Sequence, residues 1–273
     1  SLQHICLMHG MEVDYYKKLF QTIGNILDLI EKDDMPKYLL FLENAFPYMD
    51  NYNYHKGMNG IIQELTGLLK TKNIGTDSDR ALLLDFQATL EIKPEKAIKL
   101  EKDALAQIEN ITADNARLVS NLHANLGGLY RMNGHPDLAR EHMEKSISLL
   151  DQFNLLHIND SIPQIANYAM FLTEQQEPER GISELQKLSG IIKEYHSDDC
   201  LDYAKVQETL GTIYLMTANL PQAKTHFKRA FKIYEKIWAD EPEMIEAKYQ
   251  EIQELYPQIG FCIGKNLSGL LTK

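Results

Sequence analysis

Few residues in this 273-residue chain are spaced for chemistry. Gly264-Lys265 is its one Gly-Lys step, and a phosphate-binding loop would need glycine at 259, where the chain has Ile. Gly127-Gly128 could approach a nucleotide phosphate, but the surrounding pattern is helical rather than strand-turn-helix, so the pair reads as close helix packing. His135 and His142 are spaced to share a helix face, yet no HExxH and no third ligand accompany them, and they read as solvent-facing. Cys200 follows Ser197-Asp198-Asp199 at an expected helix start, where a thiol can be activated, but nothing marks a His and an Asn as partners. The expectation is no catalytic residue, no metal, no cofactor and no enzyme.

Composition narrows the classes further. Lys and Arg number 28 against 39 Asp and Glu, a net charge of −11, which argues against a surface built for phosphate backbones, so no direct nucleic-acid partner is expected. The 14 Tyr and 9 Phe fall at apolar helical spacing rather than between basic residues, as a base-stacking surface would require. No run of apolar residues is long enough to span a bilayer. Cys6, Cys200 and Cys262 are odd in number, far apart and without CxxC spacing, which fits a reducing, cytoplasmic setting. The chain starts at Ser1 rather than Met, and we expect it to be a piece of something longer.

The elements that position these residues emerge from a repeat. Leu126-Gly127-Gly128-Leu129-Tyr130 and Leu210-Gly211-Thr212-Ile213-Tyr214 both read Leu-Gly-x-x-Tyr, 84 residues apart. Each is followed at fixed distances by a small residue (Ala139, Ala223), a bulky one (Met143, Phe227) and another small one (Ser146, Ala230). A half-step of 42 demands a copy between them, and Tyr168-Ala169, Leu172, Gly181 and Leu185 supply it. A further step upstream lands on Leu84-Asp85, with Ala88, Ala97 and Ala104 in register. That copy is degenerate: Asp85 stands where a small residue is expected and Glu101 where a bulky apolar one belongs.

This pattern resembles the tetratricopeptide repeat, a helix-turn-helix unit in which the small positions are those where two helices cross. Four units of 42 follow, at 78–119, 120–161, 162–203 and 204–245. The long period is similar to that of kinesin light chain. The resemblance implies an all-α, right-handed α-solenoid of antiparallel helix pairs, a superhelix whose first helices line a concave groove. In that family an Asn just before the Leu-Gly pair holds the backbone of an extended peptide, a place taken here by Asn125 and Asn167, while Leu83 and Thr209 depart from it. The groove residues so implied are Asn121, Asn125, Arg131, Asn167, Met170, Lys205, Thr209 and Thr212, with Gly128, Met132, Thr173, Glu208 and Met216 beside them. Glu208 leaves the sign of charge near Lys205 open.

The flanks complete the organisation. Residues 1–77 read as helices, either eroded repeats or a cap joined to an upstream domain: Val13, Tyr16, Phe20, Ile23, Leu27 and Ile30 mark one face, Leu39 to Tyr48 another, and a helix is expected from Tyr54 to Leu69. Residues 246–273 read as a capping helix whose apolar part begins at Ile259. The expected function is a scaffold or adaptor that binds a protein or extended peptide, with homo-oligomerisation possible. The alternative is the peptide-sensing half of a regulator resembling bacterial pheromone receptors, its effector domain lying upstream.

Overall fold

The computed structural model describes residues 37–43, 46, 55–72, 74–158 and 161–255, and these divide into two compact units, up to Phe153 and from Asn154 onward. Among the described residues all regular structure is helical. In the N-terminal unit, helical residues 37–43 are followed by α1 (His55–Lys72), α2 (Asp77–Thr89), α3 (Pro94–Leu105), α4 (Ala116–Met132) and α5 (Pro136–Gln152). The C-terminal unit holds α6 (Ser161–Glu174), α7 (Pro178–Tyr195), α8 (Leu201–Met216), α9 (Leu220–Ile237) and α10 (Pro242–Leu255).

Each repeat is a helix hairpin. The pairs α2–α3 and α4–α5 in the first unit, and α6–α7 and α8–α9 in the second, make the main contacts, and within each unit the first helices of successive repeats also touch, α2 with α4 and α6 with α8. The fold is the solenoid type expected, all-α and built of antiparallel helix pairs. The hairpin turns recur with the 42-residue period. Gly134, Gln176 and Ala218 all have positive φ, at 76°, 66° and 59°. In each case the next N–H reaches back to close the helix end: His135 N to Tyr130 O at 2.9 Å, Glu177 N to Leu172 O at 2.8 Å and Asn219 N to Tyr214 O at 2.7 Å. This wrap-around bond requires a left-handed residue, which glycine adopts at least cost. Proline then opens the second helix at 94, 136 and 178, where its missing N–H has no intrahelical partner to lose. Because Gln176 and Ala218 hold a conformation that strains a side-chain-bearing residue, Gln176→Gly and Ala218→Gly should each stabilise the chain by about 0.5–1 kcal/mol. Thermal melts of the two variants check this, and lowered melting at both would contradict the turn geometry.

The small positions sit where side chains have no room. A Cβ on Gly127 would lie 2.6 Å from Met143 Cγ, one on Gly211 2.8 Å from the Phe227 ring, and one on Gly181 2.6 Å from the carbonyl oxygen of Ala169. The first two are contacts between the predicted small and bulky positions of single repeats, and the third joins the two small positions of its repeat. Gly128, by contrast, has nothing within 4 Å of such a Cβ, so of the glycine pair only the first is a packing residue.

Upstream, Leu39, Leu42 and Phe46 are buried together with Met58, Ile62 and Leu65 of α1 and with Leu83 and Phe86 of α2, and Phe46 stacks on Phe86 at 4.3 Å. These residues pack against the first repeat as a further hairpin would. At the other end α10 starts at Pro242, inside the last 42-residue unit, and buries Met244 and Ile252. Tyr249 stacks on Phe231 of α9 at 4.1 Å and donates to Glu235 at 3.2 Å. The expected amphipathic face between Val13 and Ile30 and the apolar tail from Ile259 lie outside the described residues.

Candidate interaction surface

The eight predicted groove residues fall on three first helices: Asn121, Asn125 and Arg131 on α4 of the N-terminal unit, Asn167 and Met170 on α6 and Lys205, Thr209 and Thr212 on α8 of the C-terminal unit. Since α6 and α8 pack side by side, Asn167, Met170, Lys205 and Thr209 belong to adjoining helices. Asn125, Asn167 and Lys205 are exposed, and Asn121, Arg131, Met170 and Thr209 half-buried. The exposed methionines Met132 (81%) and Met216 (46%) occupy the last turns of α4 and α8 at the same repeat position.

Three expected surface residues are placed otherwise. Thr212 and Thr173 are buried, and the Thr173 hydroxyl donates to Ala169 O in its own helix at 2.9 Å. Glu208 turns toward α9 and α10, accepting from the Tyr234 hydroxyl at 2.6 Å and pairing with Lys248 at 3.0 Å. Burial alone would lower the Lys248 ammonium, but the Glu208 and Glu251 carboxylates outweigh it and hold it above its usual value. Burial, then the Glu208 charge, pushes the Tyr234 hydroxyl up, so it stays a donor. Lys205 is left with Asp202 at 3.7 Å, an exposed pair of the kind worth about 0–1 kcal/mol and readily exchanged.

Of the two histidines expected to face solvent, His142 departs from that setting. His135 is the residue before α5 and is exposed, whereas His142 is half-buried, stacked on Tyr130 at 5.4 Å, with its Nδ1 2.9 Å from that of His123. Burial lowers both, His123 to about 4, so one ring can donate and the other accept as neutral imidazoles. Two periods on, Tyr214 stacks on His226, whose Nδ1 lies 2.9 Å from Gln207 Oε1. The motif is a polar clasp between the two helices of a hairpin. Among the described residues no group of three metal-ligating side chains occurs. Cys200 does begin a helix, capping α8 by accepting from Tyr203 N at 3.4 Å and donating to Ser197 O at 3.2 Å.

The side chains with unusual chemistry are the two that broke the repeat code. Asp85 and Glu101 occupy the mutually contacting small and bulky positions of the first repeat. Asn125 Nδ2 donates to Asp85 Oδ1 at 2.8 Å, and Glu101 is 1% exposed, its Oε2 without a hydrogen-bond partner among the described residues. Their signal was in the sequence as two paired departures, an acid for a glycine and an acid for a Phe. Cavities of about 450 Å³ beside Leu69, Arg80 and Gln87, and of about 410 Å³ beside Pro178, Gln186 and Tyr214, contain none of the predicted residues.

No curated protein matches the chain in sequence. A model of the tetratricopeptide repeat family matches residues 161–236. Similar solved structures include a putative kinesin light chain from Podosopora anserina with nearly identical TPR-like repeats, at 15% identity and a TM-score of 0.53, covering 72% of this chain and 96% of that one. A substituted form of that protein gives 0.55 at the same identity and coverage. BtubC (BKLC) from P. vanneervenii is 17% identical, with a TM-score of 0.50 over 74% of each chain. Residues 161–236 thus match the tetratricopeptide repeat family, and the fold is similar to that of the TPR-like repeats in these solved structures.

Proposed function

We propose that this protein is an interaction scaffold that docks an extended segment of a partner protein on the exposed faces of its repeats' first helices. The observation that carries the reading is the packing of α6 against α8, which puts the exposed residues Asn167 and Lys205 on adjoining helices. A prefolded repeat surface leaves most of the ordering cost to the partner. An Asn amide can donate to a peptide carbonyl and accept from a peptide N–H. With Glu208 withdrawn to Lys248 and Tyr234, Lys205 gives this face a preference for an acidic residue. Among the described residues no helix is long and apolar enough to cross a membrane.

Selection of a random-peptide library on the full chain, followed by calorimetric titration of a selected peptide, tests the reading. Each hydrogen bond removed should cost about 0.5–1.5 kcal/mol, so the Asn167→Ala, Lys205→Ala double variant should bind roughly tenfold more weakly with unchanged melting. An unaltered affinity would place docking elsewhere.

A further inference from the structure

In the other repeats with this contact, the small and bulky positions meet as Gly127 on Met143 and Gly211 on Phe227. In the first repeat both are carboxyl groups. Asp85 of α2 and Glu101 of α3 lie within hydrogen-bonding reach of each other, and Asn125 of α4 reaches both. Glu101 is 1% exposed, and among the described residues its Oε2 has no hydrogen-bond partner. Two carboxylates cannot both stay ionised in such a place, since an unpaired buried charge costs several kcal/mol and a neighbouring like charge adds to it. The charges nearest the pair give no relief: Glu43, from the preceding helical segment, is itself an anion and is ion-paired with Arg117 of α4 at 3.5 Å.

We propose that Asp85 and Glu101 hold one proton between them at neutral pH, and that this acid–carboxylate pair fixes the Asn125 side chain with its N–H groups inward and its carbonyl outward. Glu101 is the protonated member. Its hydroxyl donates to Asp85, which satisfies the orphaned oxygen, and Asp85 keeps the negative charge that accepts from Asn125 Nδ2. Burial first, and then the Asp85 charge, holds Glu101 far above the usual carboxylate range. Burial raises Asp85 as well, while its hydrogen bonds with Glu101 and Asn125 pull it back. The amide cannot rotate, because its Oδ1 would then face a carboxylate. Asn125 therefore presents an acceptor, and the ligand group it takes is an N–H donor, such as a peptide N–H.

Asp85 and Glu101 are thus positioning residues for the docking face of α4. This extends the scaffold reading, on which only the identity of the docked group depends.

A group protonated in the native chain and ionised in the unfolded one makes stability fall as pH rises above the ordinary glutamate range. The contribution of Glu101 is fully present below about pH 4 and declines through neutrality toward its raised native value. Glu101→Gln keeps a neutral donor to Asp85 and has no such proton. Native-state hydrogen exchange of the α3 and α4 amides, in the full chain between pH 5 and 8, should therefore show wild type opening up to tenfold more readily per pH unit relative to Glu101→Gln. The lowered histidines His123 and His142 are common to both proteins and cancel. Parallel profiles would overturn the proposal.

A second measurement needs no variant: the Glu101 Cδ resonance in ¹³C-Glu-labelled wild type should sit at the position of a protonated acid at pH 7, and titration in the ordinary carboxylate range would overturn it. The Asn125 side-chain amide protons should exchange slowly, and exchange at the rate of a free amide would sink the fixed orientation. All three readouts use the unliganded chain. A negative here leaves the docking reading standing, and a failed peptide titration leaves the shared proton.

Discussion

Gly181→Ala should lower stability by about 1–3 kcal/mol, whereas Gly190→Ala in the same helix should raise it by about 0.5–1 kcal/mol. The chemical change is identical, and so is the gain in helix propensity. What differs is the neighbour. A Cβ on Gly181 meets the Ala169 carbonyl oxygen at 2.6 Å, a backbone atom that moves only with the whole of α6, while a Cβ on Gly190 meets nothing within 4 Å. Gly211→Ala falls between them, because its obstacle is the Phe227 ring at 2.8–3.1 Å. Shrinking that ring with Phe227→Leu should therefore recover part of the loss, so a double-mutant cycle at 211 and 227 shows favourable coupling of about 0.5–3 kcal/mol. Thermal or denaturant unfolding of the set reads these differences. Equal effects of alanine at 181 and 190 would mean that the helices do not cross at the small positions.

Lys248→Met should cost about 3 kcal/mol, because it removes the cation that compensates Glu208 and leaves that carboxylate under α10 with only the Tyr234 hydroxyl. Both side chains of the pair are four-fifths buried, at 18% and 20% exposure, so solvent does little to screen the loss. Restoring neutrality with Glu208→Gln on top of Lys248→Met should return much of it, since what hurts is the unpaired charge and not the missing bridge. Because the native Lys248 value is raised, the stabilisation it brings is fully present below the ordinary lysine range and is lost only as pH rises through the raised value. The penalty of Lys248→Met should accordingly be the same at pH 6 and pH 8. A penalty that vanished at either pH, or a double variant no better than the single, would show that α10 is not held through this pair.

The period, the helix hairpins and the crossing positions were legible in the sequence because each is a local or repeated demand. A glycine or alanine every 42 residues is what a close crossing leaves behind, and Gly127, Gly181 and Gly211 all proved to have no space for a Cβ. The turn residues were less visible, since Gln176 and Ala218 adopt the left-handed conformation of Gly134 without being glycine, and only the wrap-around hydrogen bond compels it. The histidines show the same limit. His135 and His142 are close in sequence, but His142 meets His123 and Tyr130 across the hairpin, and spacing along one helix says nothing about a partner on another.

For the candidate surface, the sequence alone assigned residues to the first helices and their exposed faces. The tertiary structure decided which of them keep their polar groups for a ligand. Glu208 looked like a surface charge beside Lys205, but α10 brings Lys248 against it and takes it out of that account. Asn125 looked like a bare amide, and instead two further helices reach it through Asp85 and Glu101. Ionisation and amide orientation depend on what lies within a few ångströms in space, and residues 85, 101 and 125 become neighbours only when the hairpins stack.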